Sequence, residues 1–406
     1  MKVFCFTTYY PSTIYEVVRF HRWANEIAGM TFHRISGQPD QLELQVTIPR
    51  LLNFIRLLLM EAMVFIVYSR ILLNTEHKDS VILDYGPPLC VAATIFNIIV
   101  VTVVNALTYR SFIQMFGKLY AVDNQFEALK SNLDHTAQQR FILRASVVYI
   151  LILITTELVT NALLVVESDE RMGTLFLAFC RFILNTVYLL IFGSHTLPIY
   201  LIYKRYQHIN HLISLKFDTS NRKQFIWIKE MVLHSSDRID TIQKLANIHA
   251  ELTEALDLFC ESQWIQLILG SLNGVFFTTF NIFLLYRSVL SGERFLVLVN
   301  LQNCLLNVYY AALYVSLVFQ NTTVTWEAKK TIGLVYKVLN NTTRDVRMVA
   351  ALRLVARQLH AKTAAVKLRF NDGDVRVLFS AVGAISTYLV ILFQFDQTTV
   401  TGNNGI

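Results

Sequence analysis

The chain has 406 residues, 54% of them hydrophobic and only 16% charged, against about 25% charged in typical soluble proteins. That is too little charge to solvate a globule of this size, and too much apolar side chain for a disordered chain. The net charge of +7 is spread over segments between apolar runs, as in a membrane protein, and is not gathered into a nucleic-acid-binding patch. An integral membrane protein remains.

In chain order, residues 1–50 lack an apolar core long enough for a cleaved signal peptide. Seven runs long enough to cross a bilayer as helix follow, at about 51–73, 88–108, 142–166, 174–203, 265–287, 295–320 and 375–395. Only helices or closed barrels span lipid, and these runs are too long for barrel strands, so the fold is all-α. The first run carries Arg56 and Glu61, and the fourth carries Pro198 near one end. Lys and Arg set the orientation. Twenty-seven lie in the N-terminal segment and the second, fourth and sixth loops, against three (Lys78, Arg171, Arg294) on the other side. The positive side faces the cytoplasm, which puts the N-terminus inside and the C-terminus outside.

Two of the basic segments read as amphipathic helices. Apolar residues recur at Ile242, Leu245, Ile248, Leu252, Leu256 and Phe259, and again at Val346, Val349, Leu352, Ala356, Leu359 and Val366. Such helices pack on each other or on neighbouring subunits. The expected division is a cytoplasmic segment (1–50), a six-helix bundle with cytoplasmic extensions (51–320), cytoplasmic anchor helices (321–374), a last span (375–395) and an extracellular tail (396–406).

No catalytic signature is present: no HExxH, GxSxG, P-loop or glycine-rich dinucleotide turn. Neither a cofactor nor a metal is expected. The five cysteines (Cys5, Cys90, Cys180, Cys260 and Cys304) are odd in number and lack CxxC spacing, so they read as small buried hydrophobes. Among the ionisable residues inside the spans, Glu61, Glu157 and Arg181 are the deep ones, and such residues point to function or to structural pairing. Span three exits near Glu167 and span four re-enters near Thr174. Glu157 and Arg181 therefore sit at similar depth, about 15 and 10 Å inward, with Asn161 and Asn185 one turn further along. The expectation is that Glu157 and Arg181 face the bundle interior and either pair directly or border a hydrated, outward-open ligand pocket, for which all four residues are candidates.

The last span ends Thr387-Tyr388-Leu389-Val390-Ile391-Leu392-Phe393-Gln394-Phe395. It resembles the insect gustatory receptors, whose last span carries Thr-Tyr, five hydrophobic residues, then Gln-Phe. The seven spans and the internal N-terminus match that family too. The resemblance implies a tetrameric, ligand-gated, non-selective cation channel in the plasma membrane of sensory-neuron dendrites. Each subunit would contribute its last helix to a central pore, with a ligand pocket in the other six spans. It implies a small-molecule tastant, cations and lipid as partners, homomeric or heteromeric assembly, and a gate role for Gln394 and Phe395. Sugar receptors carry Glu where this chain has Leu389, so the resemblance implies a bitter-type ligand. A G-protein-coupled receptor is opposed by the charge bias, and a secondary transporter by the lack of internal repeats.

The motif also has a direct physical reading. Thr387, Ile391 and Gln394 share one helix face. Four copies about an axis would stack an amide ring on an aliphatic ring, able to coordinate ions and to close by dewetting. Tyr388 suits packing against the bundle, and Asp396 is expected to ring the outer mouth as a cation-concentrating carboxylate.

Overall fold

In a computed structural model, the structure describes residues 11, 13–30, 33–36, 43–73, 81–167, 171–217, 235–292, 294–342, 346–362, 364–368, 371–372 and 375–403. The elements run α1 (Ile14–Val17), α2 (Arg19–Ala28), β1 (His33–Ser36), β2 (Glu43–Val46), α3 (Ile48–Leu73), α4 (Val81–Ala128), α5 (His135–Glu167), α6 (Arg171–Phe217), α7 (Ser235–Ser291), α8 (Arg294–Asn341), α9 (Val346–Ala361), β3 (Lys367–Leu368), β4 (Asn371–Asp372) and α10 (Val375–Asn403). The expected all-α fold holds, with two additions. β1 and β2 pair antiparallel, His33 opposite Val46, and β3 and β4 form a two-residue hairpin.

All seven expected spans lie inside helices, and six helices among the described residues are long and apolar enough to cross a membrane. The first expected span falls in α3, where Glu61 is buried and accepts from the Thr102 hydroxyl of α4 at 3.3 Å. Several helices outrun a bilayer. The 57 residues of α7 rise about 86 Å at about 1.5 Å each, against a hydrocarbon core of about 30 Å.

The extensions hold the main core. Phe126 of α4, Tyr206 and Ile209 of α6, Leu252 and Phe259 of α7, Val335 of α8 and Leu352 of α9 are all fully buried in one cluster. The expected stripe from Ile242 to Phe259 is buried throughout. The stripe on α9 is shifted: Val346, its first residue, is 80% exposed, and Met348, Ala351 and Val355 join Leu352, Ala356 and Leu359 inside. Within the spans the pattern inverts, and large apolar residues such as Leu158, Phe179 and Val308 point outward. Lipid, not water, is the solvent those side chains suit.

A buried ion pair ties α4 to α6. The Arg205 guanidinium donates to both Asp123 carboxylate oxygens, at 2.8 and 2.5 Å. The short helix α2 docks on α6 through His21, Asn25 and Ser194. The His21 Nε2 lies 3.1 Å from the Ser194 hydroxyl, and the Asn25 amide donates to that hydroxyl at 3.3 Å. Gly193 permits this approach, since a Cβ there would meet the His21 ring at 2.8 Å. Gly29 ends α2 in the left-handed region at φ 82°, and a Cβ there would lie 2.6 Å from the Asn53 carbonyl oxygen.

Candidate functional site

Two regions of the bundle carry candidate chemistry. The first is built on Glu157 of α5, which is 2% exposed at mid-span. Its carboxylate accepts from the Asn161 amide at 2.9 Å and from the Asn185 amide of α6. Tyr310 of α8 donates its hydroxyl to the Asn185 carbonyl at 2.5 Å, and Gln302 of α8 donates to the Asn161 carbonyl at 3.3 Å. Three helices are thus joined by one polar network where unmade hydrogen bonds are costly. The structure brings Glu157, Asn161 and Asn185 together. Arg181 belongs to α6, but its side chain is outside the described residues, and so is its expected pairing with Glu157.

Tyr310 links this network to a small cavity between α4, α6, α7 and α8. The cavity, about 40 Å³, is lined by Tyr188, His195, Gln266, Tyr310 and Tyr314 among others. Tyr188 and Tyr310 meet edge to face, with ring centroids 4.7 Å apart. The Gln266 amide donates to Asn105 at 3.1 Å, while its carbonyl oxygen and that of Asn97, another lining residue, are buried with no hydrogen-bond partner among the described residues. A cavity of this size holds about one water. Its aromatic edges and open acceptors suit a small hydrogen-bonding molecule once the walls part.

The second region is α10. Thr387, Ile391 and Gln394 are all exposed, on the side of the helix opposite Leu389, Phe393 and Asp396. The Thr387 hydroxyl donates to the Gly383 carbonyl at 2.9 Å. Phe393 packs on α7 against Tyr286 and Phe283, at 4.8 and 6.0 Å between ring centroids. Phe395 is exposed beside the Gln394 face. Three expectations are corrected. Tyr388 does not pack on its own bundle but stands 56% exposed. The helix continues to Asn403 with no tail beginning at 396. Asp396 is therefore a mid-helix residue, 3% exposed, whose carboxylate accepts from Arg287 of α7 at 3.3 Å. A carboxylate held inside its own subunit is not an open charge at a pore mouth.

Beside the seven runs and the buried polar network, α10 has no buried residue in its apolar membrane-crossing window, and residues 18–399 match the model of the 7tm chemosensory receptor family. The chain belongs to that family. It is a multi-pass membrane chemosensory receptor and not an enzyme. The receptor is similar in structure to the insect olfactory receptor OR5 from Machilis hrabei, with a TM-score of 0.60 over 94% of this chain and 100% of that one. The same protein in complex with eugenol gives a TM-score of 0.56 over 94% and 99%. Identity is 12% in both cases, so the likeness is one of fold. No individually curated protein matches the receptor in sequence.

Gln302, Tyr310 and Arg287 were not singled out from the sequence of the receptor. Gln302 and Tyr310 lie eight residues apart on one face of α8, and that spacing was the available signal. The partnership of Arg287 with a residue 109 positions away left none.

Proposed function

We propose that the receptor is a taste receptor acting as a ligand-gated, non-selective cation channel in the plasma membrane. Four subunits, identical or mixed with related receptors, surround a central pore to which each lends α10. An extracellular tastant opens it, and the sensory dendrite is the site of action. The observation that carries this reading is the state of α10 in one subunit. No residue of its apolar membrane-crossing window is buried, and the uncovered face presents Thr387, Ile391 and Gln394. Lipid alone would not need a Thr and a Gln on that face, whereas a shared pore does.

The ligand enters at the Glu157 network and the adjoining Tyr188–Tyr310 cavity. Parting these walls would move α8 and, through it, the neighbouring α7 and α10. The Thr387-Tyr388…Gln394-Phe395 motif favours a gustatory over an olfactory role, and Leu389 in place of the sugar-type Glu favours a bitter-type compound. That OR5 is described with eugenol supports a small organic ligand in this fold. Expression of the receptor alone in a non-neuronal cell, with current recording over a tastant panel, tests the reading. Agonist-evoked cation current without added G protein is expected. A response that depends on G-protein signalling would refute it.

A further inference from the structure

A larger space is divided from the ligand cavity by Phe192, which lines both. A cleft of about 1070 Å³ runs between α2, α5, α6 and α8, just above the roughly 300–1,000 Å³ that small-molecule pockets occupy. Its walls are mostly apolar: Phe20 and Trp23 from α2, Phe141 and Tyr149 from α5, Tyr200 from α6 and Phe319 from α8. Along α6 the lining runs from Thr186 to Lys204, about 27 Å at about 1.5 Å per residue. That is longer than one leaflet's share of a hydrocarbon core about 30 Å thick. The cleft is open along Ile150 and Phe319, which lie within expected spans, and along Trp23 and Phe141 just outside them, all 37 to 54% exposed. Much of its α5, α6 and α8 lining falls within expected spans, so the opening faces acyl chains.

The charge of the cleft is one-sided. Among the described residues Lys204 is its single charged lining residue, and no Asp or Glu among them lines it. The Lys204 ammonium sits 5.8 Å from the ring centroid of Tyr200 and 5.5 Å from that of Tyr203. It donates to the Gln207 side-chain carbonyl at 3.1 Å, and no carboxylate among the described residues forms an ion pair with it. Lys204 follows directly on the expected fourth span, at the depth where a lysine reaches the headgroups and tyrosines sit among them. α2 closes this wall as a short amphipathic helix, with Phe20, Trp23 and Ile27 toward the cleft and Arg22 paired to Glu26 on its polar side.

A long apolar cleft, open to the bilayer and ending in one uncompensated cation between two phenol rings, fits a molecule with long apolar tails and an anionic head. We propose that it binds one anionic phospholipid per subunit, with acyl chains along Tyr149 and Phe319 and the headgroup phosphate at Lys204. A neutral tastant or sterol would make no use of the cation. The site shares only the wall residue Phe192 with the proposed ligand cavity and does not depend on the channel reading.

The test uses the full-length receptor in nanodiscs of phosphatidylcholine and phosphatidylserine, with retained lipid counted by native mass spectrometry. The wild type is expected to retain phosphatidylserine about tenfold over phosphatidylcholine. Lys204→Met should abolish that preference and Lys204→Arg should keep it. Ala145→Trp, which fills the cleft, should release both lipids. Excess soluble glycerophosphoserine should not displace the lipid, and displacement would assign a soluble anion in its place and overturn the proposal. Equal retention of the two lipids by the wild type would also overturn it, and that arm needs no variant to fold. So would undiminished preference in a folded Lys204→Met receptor.

Discussion

The Arg287–Asp396 pair holds the C-terminal half of α10 to α7 beside the Phe393 contacts, and it sets a measurable expectation. The side chains are 16% and 4% exposed, with nitrogen and oxygen 3.3 Å apart. Removing one member of a buried pair costs about 3–5 kcal/mol, because the remaining charge stays buried without its counter-ion. The partial exposure of Arg287 places the expected cost near the lower end, about 3 kcal/mol. If the pair is made in this conformation and lost in the other, that shifts the conformational balance more than a hundredfold, at about 1.4 kcal/mol per factor of ten. Asp396→Asn and Arg287→Gln should each change resting current by at least tenfold per channel at the surface. The charge-swapped double variant, Arg287→Asp with Asp396→Arg, should recover a large part of that change. Whole-cell recording with surface biotinylation measures both. Single variants with unchanged resting current, or a double variant no better than either single, would refute the tether.

Three further outcomes are expected. Glu157→Leu leaves the Asn161 and Asn185 amides without their acceptor, at about 1–3 kcal/mol for each buried donor, so the melting temperature in detergent should fall by several degrees. Glu157→Gln keeps one acceptor and should fold, with a displaced agonist dose-response; an unmoved response would separate the network from the ligand. Burial pushes the His21 imidazole from its ordinary 6.5 down to about 4, so the undocked state binds the proton more tightly. Docking of α2 is then at full strength above about pH 6.5 and weakens toward pH 4, by up to about 1.4 kcal/mol per pH unit. Protection factors of the α2 amides, corrected for the intrinsic pH dependence of exchange, should fall at pH 5, and Gly193→Ala should lower them in the same way at pH 7.4. Gln394→Ala should alter ion selectivity or leak at normal surface expression, and no change in either would remove Gln394 from the pore.

Much of this architecture was legible because period and length are local properties. The seven apolar runs and the stripe from Ile242 to Phe259 needed no tertiary knowledge. Matching depth pointed Glu157 to Arg181, whereas the partner the structure shows for it across the helix boundary is Asn185. What escaped depended on partners far along the chain. Asp396 looked like the end of a span because the motif ends at Phe395, but helix continues to Asn403 and turns that carboxylate toward Arg287. Val346 fits the α9 period by spacing alone, yet as the first residue of the helix it stands exposed, and Met348 is buried in the core. The β1–β2 hairpin has a local signal in Gly37, Pro39 and Asp40 between short alternating segments, but it is too short to register beside apolar runs of about twenty residues. The cleft between α2 and Lys204 gathers residues from four helices, and no single stretch of sequence announces it.

The pore assignment of α10 is tested most directly by single cysteines placed from 385 to 395 and a charged thiol reagent applied outside during agonist-evoked current. Cysteines at Thr387, Ile391 and Gln394 should react and block the current, while those at Leu389 and Phe393, which face α7, should be silent. Block confined to 389 and 393, or block at none of these positions in channels that respond to agonist, would contradict the assignment.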